Sequence, residues 1–125
     1  MSSKPAARPL SPHLQIWKWT LTMALSILHR ASGVALVAGL LMVVWMLFAA
    51  ASGPEAYDCF KGFATSILGQ IMLLGWTGAL FFHLFAGIRH LLMDMGYLLT
   101  IPQAEFAGKL IFLGAALMTA LVWLV

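Results

Sequence analysis

Ser26, His29, Arg30 and Gly33 stand at offsets of zero, three, four and seven along the chain. On a helix these offsets share one face. Arg30 lies eleven residues beyond Trp19, inside an otherwise apolar stretch. A helix entering a membrane at Trp19 carries it ~16 Å inward, and an arginine at the centre of a span costs ~2.5–3.5 kcal/mol on insertion scales. Such a residue faces protein, water or a ligand. Its guanidinium keeps its proton, so it suits a carboxylate or a developing anionic oxygen. Ser26, one turn before it, adds a hydroxyl donor. The plainer readings are a snorkelling arginine and a serine that packs or bonds a backbone carbonyl.

A second set, Ala79, His83, Gly87, His90 and Asp94, also falls on one helical face. His83 is the only ionisable residue between Gly62 and Ile88. The small residues Ala79 and Gly87, one turn to either side, leave room for a flat group beside the imidazole. That arrangement suits an axial ligand of haem iron. The plainer reading is a histidine hydrogen-bonded across helices, with Ala79 and Gly87 serving close packing.

The elements that must position these residues follow from composition. The chain has 125 residues, 62% hydrophobic and 9% charged, with 7 Lys+Arg against 4 Asp+Glu. Soluble domains carry ~25% charged residues, so this chain cannot cover a water-facing surface. No Lys/Arg run marks a nucleic-acid site. The single cysteine, Cys59, excludes an internal disulfide and a cysteine-based metal site. An integral membrane protein remains, all-α, with three transmembrane helices.

The spacing predicts a polar head over 1–18, with Lys4, Arg8, Lys18 and three prolines, and a membrane domain over 19–125. Helices are expected at about 20–51, 63–93 and 107–125, joined by polar loops around Glu55–Lys61 and over Met95–Phe106. Three spans place Lys4, Arg8 and Lys18 on the same side as Arg89 and Lys109. The opposite loop offsets Lys61 with Glu55 and Asp58. The positive-inside rule then predicts a cytoplasmic N-terminus. Oppositely directed helices bring Arg30 and His83 to comparable depth on the cytoplasmic side. A short head without a long transit segment favours a bacterial cytoplasmic membrane over the mitochondrial inner membrane.

The motifs Arg8-Pro9, Ser26-x-x-His29-Arg30-x-Ser32 and His83-x-x-x-Gly87-Ile88-Arg89-His90, with Asp94 and Gly96, closely resemble those of a known family. It is the cytochrome b membrane-anchor subunit of succinate dehydrogenase, respiratory complex II. The resemblance covers about residues 8–98, and the last helix agrees in length and hydrophobicity. It implies a bundle formed with a second, small anchor subunit, and docking of iron–sulfur and flavoprotein subunits. It implies that His83 is an axial ligand of haem b, whose second ligand comes from the small anchor. It implies that Ser26 and Arg30 line a ubiquinone pocket, and that His29 and Arg30 lie near the haem propionates. The residues matching Arg89, His90 and Asp94 lie toward the docking face. Such a subunit passes electrons from succinate oxidation to quinone without itself oxidising succinate. Two rival readings are a small transporter or channel subunit and a cofactor-free structural anchor. No inverted repeat or broken helix supports the first, and the retention of His83 and its small neighbours argues against the second.

Overall fold

The computed structural model describes residues 17–125. Most of the head, with Arg8-Pro9, lies outside the described residues. Four helices follow in chain order, α1 (Leu21–Ser52), α2 (Pro54–Ala64), α3 (Ile67–Asp94) and α4 (Ile101–Leu124). Three of them, α1, α3 and α4, are long and apolar enough to cross a membrane. Helix α1 opens where the Thr20 side chain accepts from the Met23 amide, an N-cap that satisfies one free donor. With 32 residues it is ~48 Å long at ~1.5 Å per residue, longer than the ~30 Å hydrocarbon core.

Two segments expected as loops are helical. The stretch after Gly53 forms α2. Gly53 takes a left-handed φ of 117°, and Pro54 opens the new helix. Proline suits this position because its missing N–H has no intrahelical partner there. Glu55 in the first turn and Lys61 in the last complement the helix dipole. One face of α2 is aromatic and folds back on α1. Phe60 lies edge-on to Trp45 at 5.1 Å between ring centroids, and Phe63 lies 5.2 Å from the same indole. Helix α4 begins at Ile101, with Pro102 in its first turn. This proline marks a helix start, so the Met95–Phe106 connection shortens by nearly two turns at its C-terminal end.

Tight turns join the long helices. The Ser66 hydroxyl accepts from the Gly69 amide at 3.1 Å and starts α3. At its other end Gly96 adopts φ 88°, and the Tyr97 amide donates back to the Leu92 carbonyl at 2.9 Å. This left-handed glycine closure absorbs carbonyls that helix termini leave free. The N-terminus of α1, the C-terminus of α3 and the N-terminus of α4 consequently share one end of the bundle, and α2 lies at the other.

The core between α1, α3 and α4 is small. Leu25, Ala86 and Ile111 are buried at its centre, with Leu21, Phe82 and Phe85 against them. Gly108 sits where any side chain would strike Leu25, and Gly39 sits beneath the Trp76 indole. The large apolar side chains are mostly outside; Leu41, for example, is 72% exposed. An apolar exterior around a core of small residues is the pattern of helices packed within lipid and against other membrane subunits.

Candidate functional site

Helices α1 and α3 place His29 and His83 side by side, because they run in opposite directions and cross near these residues. The imidazoles stack with centroids 4.1 Å apart and planes 16° from parallel. The stack is possible because Gly33 has no side chain. A Cβ there would lie 3.1 Å from His83 Cε1. Gly87 is looser, since a Cβ there would lie 4.0 Å from His29 Nε2, an ordinary contact. The small residue against His83 is therefore Gly33 on α1, while Gly87 faces His29. His90, two turns after His83, completes the group, with its ring 5.0 Å from that of His29.

Hydrogen bonding fixes the chemistry of His83. Its Nδ1 is 3.1 Å from the His29 carbonyl oxygen and 3.0 Å from Ser32 Oγ. A carbonyl only accepts, so Nδ1 carries the proton and donates. The Ser32 hydroxyl donates to the same carbonyl at 2.8 Å and offers its oxygen lone pair to the imidazole. With the proton on Nδ1, Nε2 holds a free lone pair. This is the tautomer a metal-binding histidine needs, with its other nitrogen donating to a fixed oxygen. Ser32 is only 8% exposed and has no freedom to leave.

His29 has the opposite character. Its Nε2 is buried and has no hydrogen-bond partner. An unsatisfied buried nitrogen costs ~1–3 kcal/mol, and here the ring sits between those of His83 and His90. Arg30, the next residue, faces outward and is exposed. Ser26 is half-buried at the edge of the same helix face. The expected face thus divides. His29 and Gly33 turn toward α3, and Arg30 points away from the chain's own bundle.

Among the described residues, no group of three His, Cys, Asp or Glu side chains is placed to hold a bare metal ion. The reason is visible in the stack, since nearly parallel rings do not aim their nitrogens at one point. One imidazole with an available Nε2 is instead suited to a metal whose other ligands come from elsewhere.

Spacing did not single out two residues. Ser32 orients His83, and its signal was its i+3 relation to His29. Arg89 is 7% exposed and lies against α4. It stands five residues before the end of α3, where the resemblance placed it toward the docking face, and its burial comes from α4 closing over it.

These features define a class, a membrane protein with three long apolar helices and a histidine buttressed between two of them. The model of the family described as succinate dehydrogenase/fumarate reductase transmembrane subunit matches residues 4–122. A succinate dehydrogenase cytochrome b556 subunit of Paracoccus denitrificans is 42% identical over 118 residues, covering 94% of this chain and 91% of that protein. The cytochrome b556 subunit of Rickettsia felis is 38% identical, covering 93% and 90%. The mitochondrial cytochrome b560 subunit of Mus musculus is 41% identical, covering 88% of this chain and 66% of that protein. The chain belongs to the family of succinate dehydrogenase cytochrome b subunits. It is a membrane subunit of that oxidoreductase complex and an inner-membrane protein.

Proposed function

We propose that this subunit binds haem b together with a small anchor subunit, helps form a ubiquinone-reduction site and docks the iron–sulfur and flavoprotein subunits. The observation that carries the reading is the His83 imidazole, whose Nδ1 is committed to the His29 carbonyl and Ser32. Nε2 is left to bind iron. The fit to haem has two further supports. Gly33 lets α1 come into contact with the His83 ring and hold its plane. Arg30, exposed on the outer side of α1 beside His29, would neutralise a propionate carboxylate. Haem b, when bound, supplies a one-electron carrier within the membrane.

The remaining chemistry belongs to side chains of this chain. Reducing a quinone takes two electrons and two protons. Ser26 donates its hydroxyl proton in a hydrogen bond to a quinone carbonyl oxygen. Arg30 holds a fixed positive charge for the negative charge that develops there. Succinate oxidation itself belongs to the flavoprotein. With the N-terminus cytoplasmic, this end of the bundle faces the soluble subunits, and the reading places the protein in a bacterial cytoplasmic membrane.

The test is a reduced-minus-oxidised spectrum of the purified complex. A b-type haem signal is expected with the native chain and is expected to vanish in His83→Ala; its survival overturns the assignment. Ser26→Ala and Arg30→Ala should each lower succinate–quinone activity by roughly 10²-fold, the size of a lost transition-state donor, while dye-linked succinate oxidation persists. Equal loss of both activities in an intact complex contradicts the quinone role.

A further inference from the structure

Helix α3 presents His83 to α1, and one and a half turns later it presents Arg89 to α4. Here a groove of about 350 Å³ runs between α3 and α4. Phe85, Leu98, Phe106, Leu110 and Gly114 line it, and Arg89 is its one charged lining residue. The arginine is more than nine-tenths buried, and its Nε has no hydrogen-bond partner. A buried cation without a counter-charge is costly. The groove itself offers no compensation, because its walls are apolar.

Position adds to this. Arg89 lies five residues before Asp94, the end of α3, so it is ~7 Å below the helix terminus. Phe106 stands at the same end of α4, and Gly114 lies eight residues deeper. The groove therefore begins at headgroup level and descends along the hydrocarbon. Leu98 covers its mouth with a left-handed φ of 58°, a conformation that costs a leucine ~1–2 kcal/mol. The strained residue and the buried charge meet at one opening.

We propose that this groove is a binding site for one anionic phospholipid, with its phosphate on Arg89 and an acyl chain along Phe85, Leu110 and Gly114. Basic pockets between transmembrane helices are suited to anionic headgroups. A phospholipid supplies both things the groove lacks, a negative charge at the arginine and apolar filling below it. A carboxylate from a docked soluble subunit supplies only the first.

The experiment uses the assembled, detergent-solubilised complex and counts bound lipid by native mass spectrometry. The probes are phosphatidylglycerol, a diacylglycerol of the same acyl chains, and inorganic phosphate. One phosphatidylglycerol per copy of this chain is expected, with diacylglycerol retained roughly tenfold less, the factor for a charge-assisted hydrogen bond. Arg89→Gln should lower phosphatidylglycerol retention by a similar factor. Ala107→Phe, which fills the groove without touching the charge, should lower it as well. Lys109→Gln, at an exposed lysine on the same helix, should leave retention unchanged. Equal retention of phosphatidylglycerol and diacylglycerol overturns the proposal, as does displacement of the lipid by inorganic phosphate. Loss of the soluble subunits in Arg89→Gln with bound lipid unchanged also overturns it, and assigns the arginine to a protein carboxylate.

Discussion

The two helix contacts made by α3 differ in kind. Against α1, in the half that carries His83, it makes a polar contact. Two imidazoles stack, a serine joins the His83 ring to the His29 backbone carbonyl, and that carbonyl accepts twice. Against α4 it packs Phe82, Phe85 and Ala86 on Ile111 and Gly114. The second contact holds the bundle together, and the first fixes the direction of one nitrogen. In lipid, apolar packing between helices gains little over packing against acyl chains. The α3–α4 contact therefore relies on close fit, and the α1–α3 contact is free to be specialised. Deeper along the same pair the character changes again, where the Trp76 indole donates to the Leu36 carbonyl at 3.4 Å over Gly39.

Substitutions can break this division of labour. The largest effect is expected from His83→Ala, with complete loss of haem absorbance from a complex that remains assembled on size-exclusion chromatography. Gly108→Leu is expected to do the reverse. It forces a side chain into Leu25 and should destabilise the complex by about 1–3 kcal/mol, the cost of overpacking, lowering its thermal midpoint while haem absorbance below that midpoint is unchanged. Ser32→Ala tests the polar contact more gently. His83 keeps the His29 carbonyl and loses one oxygen, so haem affinity should fall about 10–100-fold, as for other partners of a metal-bound histidine, measured by haem titration into the apo-complex. If Ser32→Ala loses haem as completely as His83→Ala, the serine is a determinant of folding rather than of orientation. The smallest effect is expected from Trp123→Phe. It removes a 3.4 Å bond to Thr77 at an exposed site and should change stability by less than about 0.5 kcal/mol.

Much of this architecture was legible from residue order. Long apolar stretches specify the three spans because a backbone in lipid has few other ways to satisfy its hydrogen bonds. The offsets among Ser26, His29, Arg30 and Gly33 located the polar end of α1, and those around His83 located its partner. What spacing did not resolve is instructive. Helix α2 is eleven residues long and opens with glycine and proline, which locally resemble a break; its aromatic face gains a partner in Trp45 that no local offset reports. Pro102 read as a loop residue because a first-turn proline and a turn proline look alike along the chain. Arg89 stood in a polar run near a helix end, and its burial depends on α4, which no offset within α3 reports. The inward and outward turn of His29 and Arg30, one residue apart, depends on where α3 crosses.

The aromatic clasp between α2 and Trp45 has a mechanical consequence. A 32-residue helix is longer than the bilayer it crosses and has no single preferred height within it. Helix α2, fastened near the far end of α1, packs against both α1 and α3 and so ties those two helices together at that end. A slide of one residue is ~1.5 Å along the axis. That is enough to part the His29 carbonyl from the imidazole it holds at 3.1 Å. A short helix at one end of the bundle thus keeps the histidine near the other end in register.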